Sequence, residues 1–163
     1  MQSVPRSIDV VYVRDDYAYL NIGPILVILD VSNRQSPRPL GAVKLPVETI
    51  LNLYVTDKYA YVAAAESGLR IVDISNPAQP IEVGVYNPPL IGGIDVIPYG
   101  TGPNLPAYLY RQGARGVAVD QVAGQVYAYV VAVGAGLRVV NVSNPSQPVE
   151  VGVLEISEEV LLI

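Results

Sequence analysis

Short apolar runs that alternate with polar residues and favour β-branched and aromatic side chains recur along the chain, each ended by turn-forming residues, which predicts strands. First strands are expected at IDVVYV (Ile8 to Val13) and ILNLYV (Ile50 to Val55). Second strands follow as YAYL from Tyr17, YAYVAA from Tyr59 and YAYVVA from Tyr127. Third strands read LVILDV from Leu26, LRIVDI from Leu69 and LRVVNV from Leu137; fourth strands read RPLGAV from Arg38, PIEVGVY from Pro80 and PVEVGVL from Pro148. Arg14-Asp15-Asp16 and Thr56-Asp57-Lys58 are links of hairpin length between first and second strands. Between third and fourth strands stand Ser75-Asn76-Pro77-Ala78-Gln79-Pro80 and Ser143-Asn144-Pro145-Ser146-Gln147-Pro148. There Ser and Asn fold back onto the backbone, and proline fixes φ and donates nothing to a ladder. The expected class is all-β.

The strands belong to a repeat. Gly68 to Gly84, GLRIVDISNPAQPIEVG, returns as GLRVVNVSNPSQPVEVG from Gly136 to Gly152 and, more weakly, as ILVILDVSNRQSPRPLG from Ile25 to Gly41. Asp30 aligns with Asp73, 43 residues on, and Asp73 with Asn141, 68 residues on, so the last copy carries an insertion of 25 residues. A four-stranded antiparallel meander of about 42 residues has the dimension of a β-propeller blade. One domain over 1–163 is expected, with repeats at about 1–45, 46–87 and 88–155, an insertion at about 98–114, and 156–163 starting a further blade strand.

The run Leu69-Arg70-Ile71-Val72-Asp73-Ile74-Ser75-Asn76-Pro77, with its second copy at Leu137 to Pro145, resembles the LVIVD repeat of bacterial and archaeal propeller-like proteins, over nearly the whole chain. The first copy departs with Asn33-Arg34 for Asn-Pro, and the last with Asn141 for Asp. The resemblance implies propeller architecture, a structural and interaction role, and an extracellular or cell-surface setting. Closed propellers have about four to eight blades, so three make an incomplete ring or part of an assembled one. Its two apolar flanks need cover, because soluble monomers rarely expose patches beyond a few hundred Å². Either copies associate head to tail, with Val160, Leu161, Leu162 and Ile163 completing a neighbour's sheet, or the chain is a segment of a longer propeller.

Composition narrows the chemistry. The chain has ten Lys and Arg, scattered, and a net charge of −5, which argues against a nucleic-acid partner. It has no Cys and no His, removing the soft metal ligands and the usual general base. No segment has the length and apolarity of a membrane span. No enzyme, cofactor or metal is expected, since nothing marks a facing pair of carboxylates either.

The insertion breaks the repeat, and such loops carry binding more often than scaffolds do. It contains two possible first strands, Gly93 to Ile97 and Gly116 to Val119, with a turn-rich excursion and a possible extra strand, Ala107 to Tyr110, between them. Tyr99, Tyr108, Tyr110 and Arg111 are residue types favoured at interfaces, so they are the candidate binding residues, for other surface proteins or glycans. A carbohydrate- or small-ligand-binding propeller is the alternative to a self-associating structural module. Tyr17, Tyr59 and Tyr127 share a face with Tyr19, Tyr61 and Tyr129, because strand residues two apart point the same way. Packing of blade against blade is the reading for these rings, and turn capping for Asp30, Asp73 and Asn141. Asp15-Asp16 is the one adjacent acid pair in a turn, where a weak Ca²⁺ site is the less favoured reading.

Overall fold

The computed structural model describes residues 8–89, 113–133 and 135–155. Among these the protein is all-β, with twelve strands in three four-stranded antiparallel sheets. Blade 1 comprises β1 (Val11–Arg14), β2 (Tyr17–Ile22), β3 (Ile25–Asp30) and β4 (Arg38–Lys44). Blade 2 comprises β5 (Asn52–Val55), β6 (Tyr59–Ala63), β7 (Leu69–Asp73) and β8 (Ile81–Tyr86). Blade 3 comprises β9 (Gly113–Val122), β10 (Gln125–Val133), β11 (Gly136–Asn141) and β12 (Val149–Leu154). In every blade the strands lie in chain order, so each is an up-and-down meander. β1 neighbours β5 and β5 neighbours β9, which places first strands inward and fourth strands outward, as in a propeller.

The turns form as their chemistry dictates. Asp30, Asp73 and Asn141 each accept, through Oδ1, the backbone N–H of the serine two residues on, at 2.9, 2.8 and 2.9 Å. Asn33, Asn76 and Asn144 repeat the device one residue later and close a β-turn through their carbonyls, at 3.0, 2.9 and 3.0 Å. Arg34 in place of proline leaves this geometry intact, since the asparagine does the holding. Gly68 and Gly136 enter β7 and the last blade's third strand at φ of 72° and 73°, the left-handed region that favours glycine. The first strand of blade 3 is longer than the expected Gly116 to Val119. It runs on to a two-residue turn, Ala123-Gly124 at φ of 50° and 80°, whose hand suits a hairpin.

Every fourth strand carries a bulge at the same place. Ile28 pairs with Gly41 but Leu29 with Pro39, Ile71 with Gly84 but Val72 with Glu82, and Val139 with Gly152 but Val140 with Glu150. The extra residues are Leu40, Val83 and Val151. Such bulges bend the strand and increase its twist.

Two hydrophobic layers hold the blades together. Tyr19, Leu26 and Ile28 of blade 1 pack on Leu53, Val55, Val62 and Val72 of blade 2. Tyr61, Leu69 and Ile71 on the opposite face of blade 2 pack on Val117, Ala128, Val130 and Val140 of blade 3. A blade therefore has two apolar faces, one toward the preceding blade and one toward the following blade. Burying each Leu, Ile or Val side chain contributes roughly 1.5–3 kcal/mol, so these layers are the core of the protein. Asn21, fully buried, joins blade 1 to the connection that follows it: Oδ1 accepts from the Asp9 and Val10 amides and Nδ2 donates to the Ile50 carbonyl at 3.3 Å.

Candidate functional site

The sequence-based candidates Tyr99, Tyr108, Tyr110 and Arg111, and Val160, Leu161, Leu162 and Ile163, lie outside the described residues, as do the possible strands at Gly93 to Ile97 and Ala107 to Tyr110. The site that can be built from residues upward is the pair of flanks at which the blade array stops.

On the face toward a preceding blade, blade 2 buries Ile50, Leu53 and Val55 to 0, 4 and 0% exposure. The same repeat positions in blade 1, Ile8, Val11 and Val13, are 62, 67 and 61% exposed. The opposite face behaves alike at the other end. Tyr61, Leu69 and Ile71 are buried in blade 2, whereas their equivalents in blade 3, Tyr129, Leu137 and Val139, are half-buried, and Val151 is 56% exposed. Nothing among the described residues packs on either flank, yet each has the apolar composition of an interior layer. Terminal repeats that end an array in water carry polar outer faces instead.

Charge distribution makes the same point. Within blade 2, Arg70 pairs with Glu82 at 3.0 Å and donates Nε–H to the Ser67 carbonyl at 2.9 Å. In blade 3, Arg138 is more deeply buried; it pairs with Glu150 at 3.4 Å and donates Nε–H to Ala135 O at 2.8 Å. Tyr86 of blade 2 donates its hydroxyl to the same Glu150, tying two blades together. Burial, and then this carboxylate, pushes the Tyr86 hydroxyl well above the ordinary tyrosine range. Blade 1 has Val27 where the others have arginine and Pro39 where they have glutamate. The outermost face of the array is thus less polar than the internal faces it matches.

Two grooves lie between blades at the end bearing the β1–β2, β5–β6 and β9–β10 turns. One, of about 390 Å³, is lined by Tyr59, Tyr61, Asp57, Lys58, Asp120 and Ser143 among others; the equivalent groove between blades 1 and 2 measures about 250 Å³ and includes Tyr17, Tyr19, Asp57 and Ser75. Because they recur at repeat-equivalent positions, the splay of neighbouring blades accounts for them. Tyr19 and Tyr61 close their floors, which is the packing expected of the tyrosine pairs, and burial pushes the Tyr61 hydroxyl up to about 12. Among the described residues no following blade meets Tyr129. The Asp15-Asp16 turn is flanked by arginines, Arg14 at 3.7 Å from Asp15 and Arg34 at 3.8 Å from Asp16, and Arg14 also bonds Asp57 of the neighbouring turn. Among the described residues no three Asp or Glu gather as a metal site would require.

The LVIVD repeat matches the chain at residues 5–44, 51–88 and 114–155, one match on each blade. The chain belongs to the LVIVD repeat family. No curated protein matches it. The motif letters fall on the third strands, where Leu69, Ile71 and Val72 are buried and Asp73 caps the turn, so in this LVIVD chain the signature encodes packing and turn closure.

Proposed function

We propose that this LVIVD chain is a non-catalytic interaction scaffold that associates with a second copy through its two flanks, head to tail. The observation that carries this reading is the contrast at equivalent positions: Ile8, Val11 and Val13 lie bare where Ile50, Leu53 and Val55 are sealed. Two three-bladed arcs together supply six blades, within the range that closes a propeller. A head-to-tail contact uses two different surfaces, so it forms a ring when the rotation closes. Light scattering coupled to size exclusion tests this. The expected mass is a multiple of 17.4 kDa, and replacing Val11 and Val13 by Asp reduces it to that of one chain. A wild-type protein that stays at one chain's mass at tens of micromolar overturns the reading.

A further inference from the structure

The internal interfaces show how one blade seats on the next, beyond general apolar contact. At Gly41 in β4, a side-chain Cβ would fall into the Pro77 carbonyl of the following blade's turn; at Gly84 in β8, into the Pro145 carbonyl of the turn after that. Each fourth strand therefore carries a socket midway along it, made by the bulge and the glycine after it. The plug is the Asn-Pro corner of the following blade, held rigid by its two side-chain caps. Gly152 in β12 has the same bulge before it. Among the described residues, a Cβ there would meet only Val139 of its own blade, at 3.5 Å. Its socket is built and nothing described fills it. Conversely, two of the three corners are plugged into glycines, and their Pro77 and Pro145 are half-buried, while the corner of blade 1, Ser32 to Ser36, is exposed throughout.

We infer that Gly152 receives the Asn33-Arg34 corner of a second copy of this chain, so that one backbone-to-backbone latch sets the register of association. The inference rests on the flank association proposed above and adds where the two copies lock. The occupant follows from continuity with the two interfaces already formed: the same corner type enters the same socket, and among the described residues one of each is left over. A valine at 152 is compatible with its own sheet, since the contact with Val139 is of ordinary van der Waals length and β-branched residues suit strands.

The test is Gly152→Val in the full chain, read by light scattering, with circular dichroism and thermal melting to confirm the fold. Association is expected to weaken at least tenfold with the melting temperature of the single chain unchanged. A second experiment mixes Gly152→Val with the Val11→Asp/Val13→Asp chain. Each alone associates more weakly than the wild type, but the first keeps an intact corner and the second an intact socket, so the mixture regains a species of two chains. A wild-type protein of one chain's mass overturns both the head-to-tail reading and the latch. Wild-type association that Gly152→Val leaves undiminished overturns the latch alone, and so does a mixture no larger than its parts.

Discussion

Blade 2 and its neighbours are written in the same repeat, and among the described residues the middle blade alone has both faces sealed. Leu69 and Leu137 occupy one repeat position on the third strand; the first is fully buried against blade 3 and the second is half-buried at an open end. The difference between them lies outside either residue, in whether a described blade packs on that face. In an array of this kind, stability is approximately the sum of each repeat's own contribution and its contacts with nearest neighbours. An end blade is therefore short of one interface.

The comparison is broken most directly by removing both leucines in turn. Leu69→Ala is expected to cost about 2–5 kcal/mol in chemical unfolding, as for other buried leucines, and Leu137→Ala in the single chain about half of that or less. Equal costs would mean that the end blade is as well packed as the middle one. A smaller effect is expected at the ion pair. Glu150→Gln leaves the Arg138 guanidinium buried without its counter-charge, at a cost of about 1–3 kcal/mol, below that of a fully enclosed pair because the Glu150 carboxylate reaches water. Replacing both Arg138 and Glu150 by leucine should cost less than the single change, since blade 1 already uses Val27 and Pro39 there. A double variant worse than Glu150→Gln would show that the pair itself holds blade 3 in place. The smallest effect is in alkali. Tyr61 ionises near 10 when unfolded and near 12 when buried, so the unfolded chain loses its proton first. Its contribution is complete below pH 10 and is lost as the pH rises toward 12. Tyr61→Phe should flatten part of that fall in melting temperature, and a fall of unchanged steepness would count against this assignment.

Much of the fold was legible because its signals are local. Alternation with period two marks the strands, and an Asp- or Asn-x-Ser-Asn sequence closes each third-to-fourth turn with its own side chains. Tyr17 with Tyr19 and Tyr59 with Tyr61 lie between blades as expected, because their spacing fixes a shared face, whereas Tyr127 and Tyr129 belong to neither inter-blade layer. The flanks were legible only as a count of blades that is too small to close. Which residues line them depends on contacts between blades, and repeated strands read alike whether a neighbour is present or not. The Tyr86–Glu150–Arg138 cluster spans residues 64 positions apart, beyond any local pattern. One signal was available: Arg70 and Arg138 recur on otherwise apolar strands, each with a glutamate 12 residues later. Asn21 had no such signal, and its role appeared only with the amides of Asp9 and Val10 around it. The Ala123-Gly124 hairpin was missed because the first two strands of blade 3 run to 10 and 9 residues, longer than their counterparts in the other repeats.

The glycine beside each outer bulge also gives the array a direction. In both described interfaces the corner points toward the blade before and the socket toward the blade after, so under the proposed association two like ends have no latch to exchange. Whatever joins at one end presents the same vacancy again, one unit further on. Growth of this sort is halted by curvature: the turn from each blade to the next decides how many are present when the last corner comes round to the first empty socket.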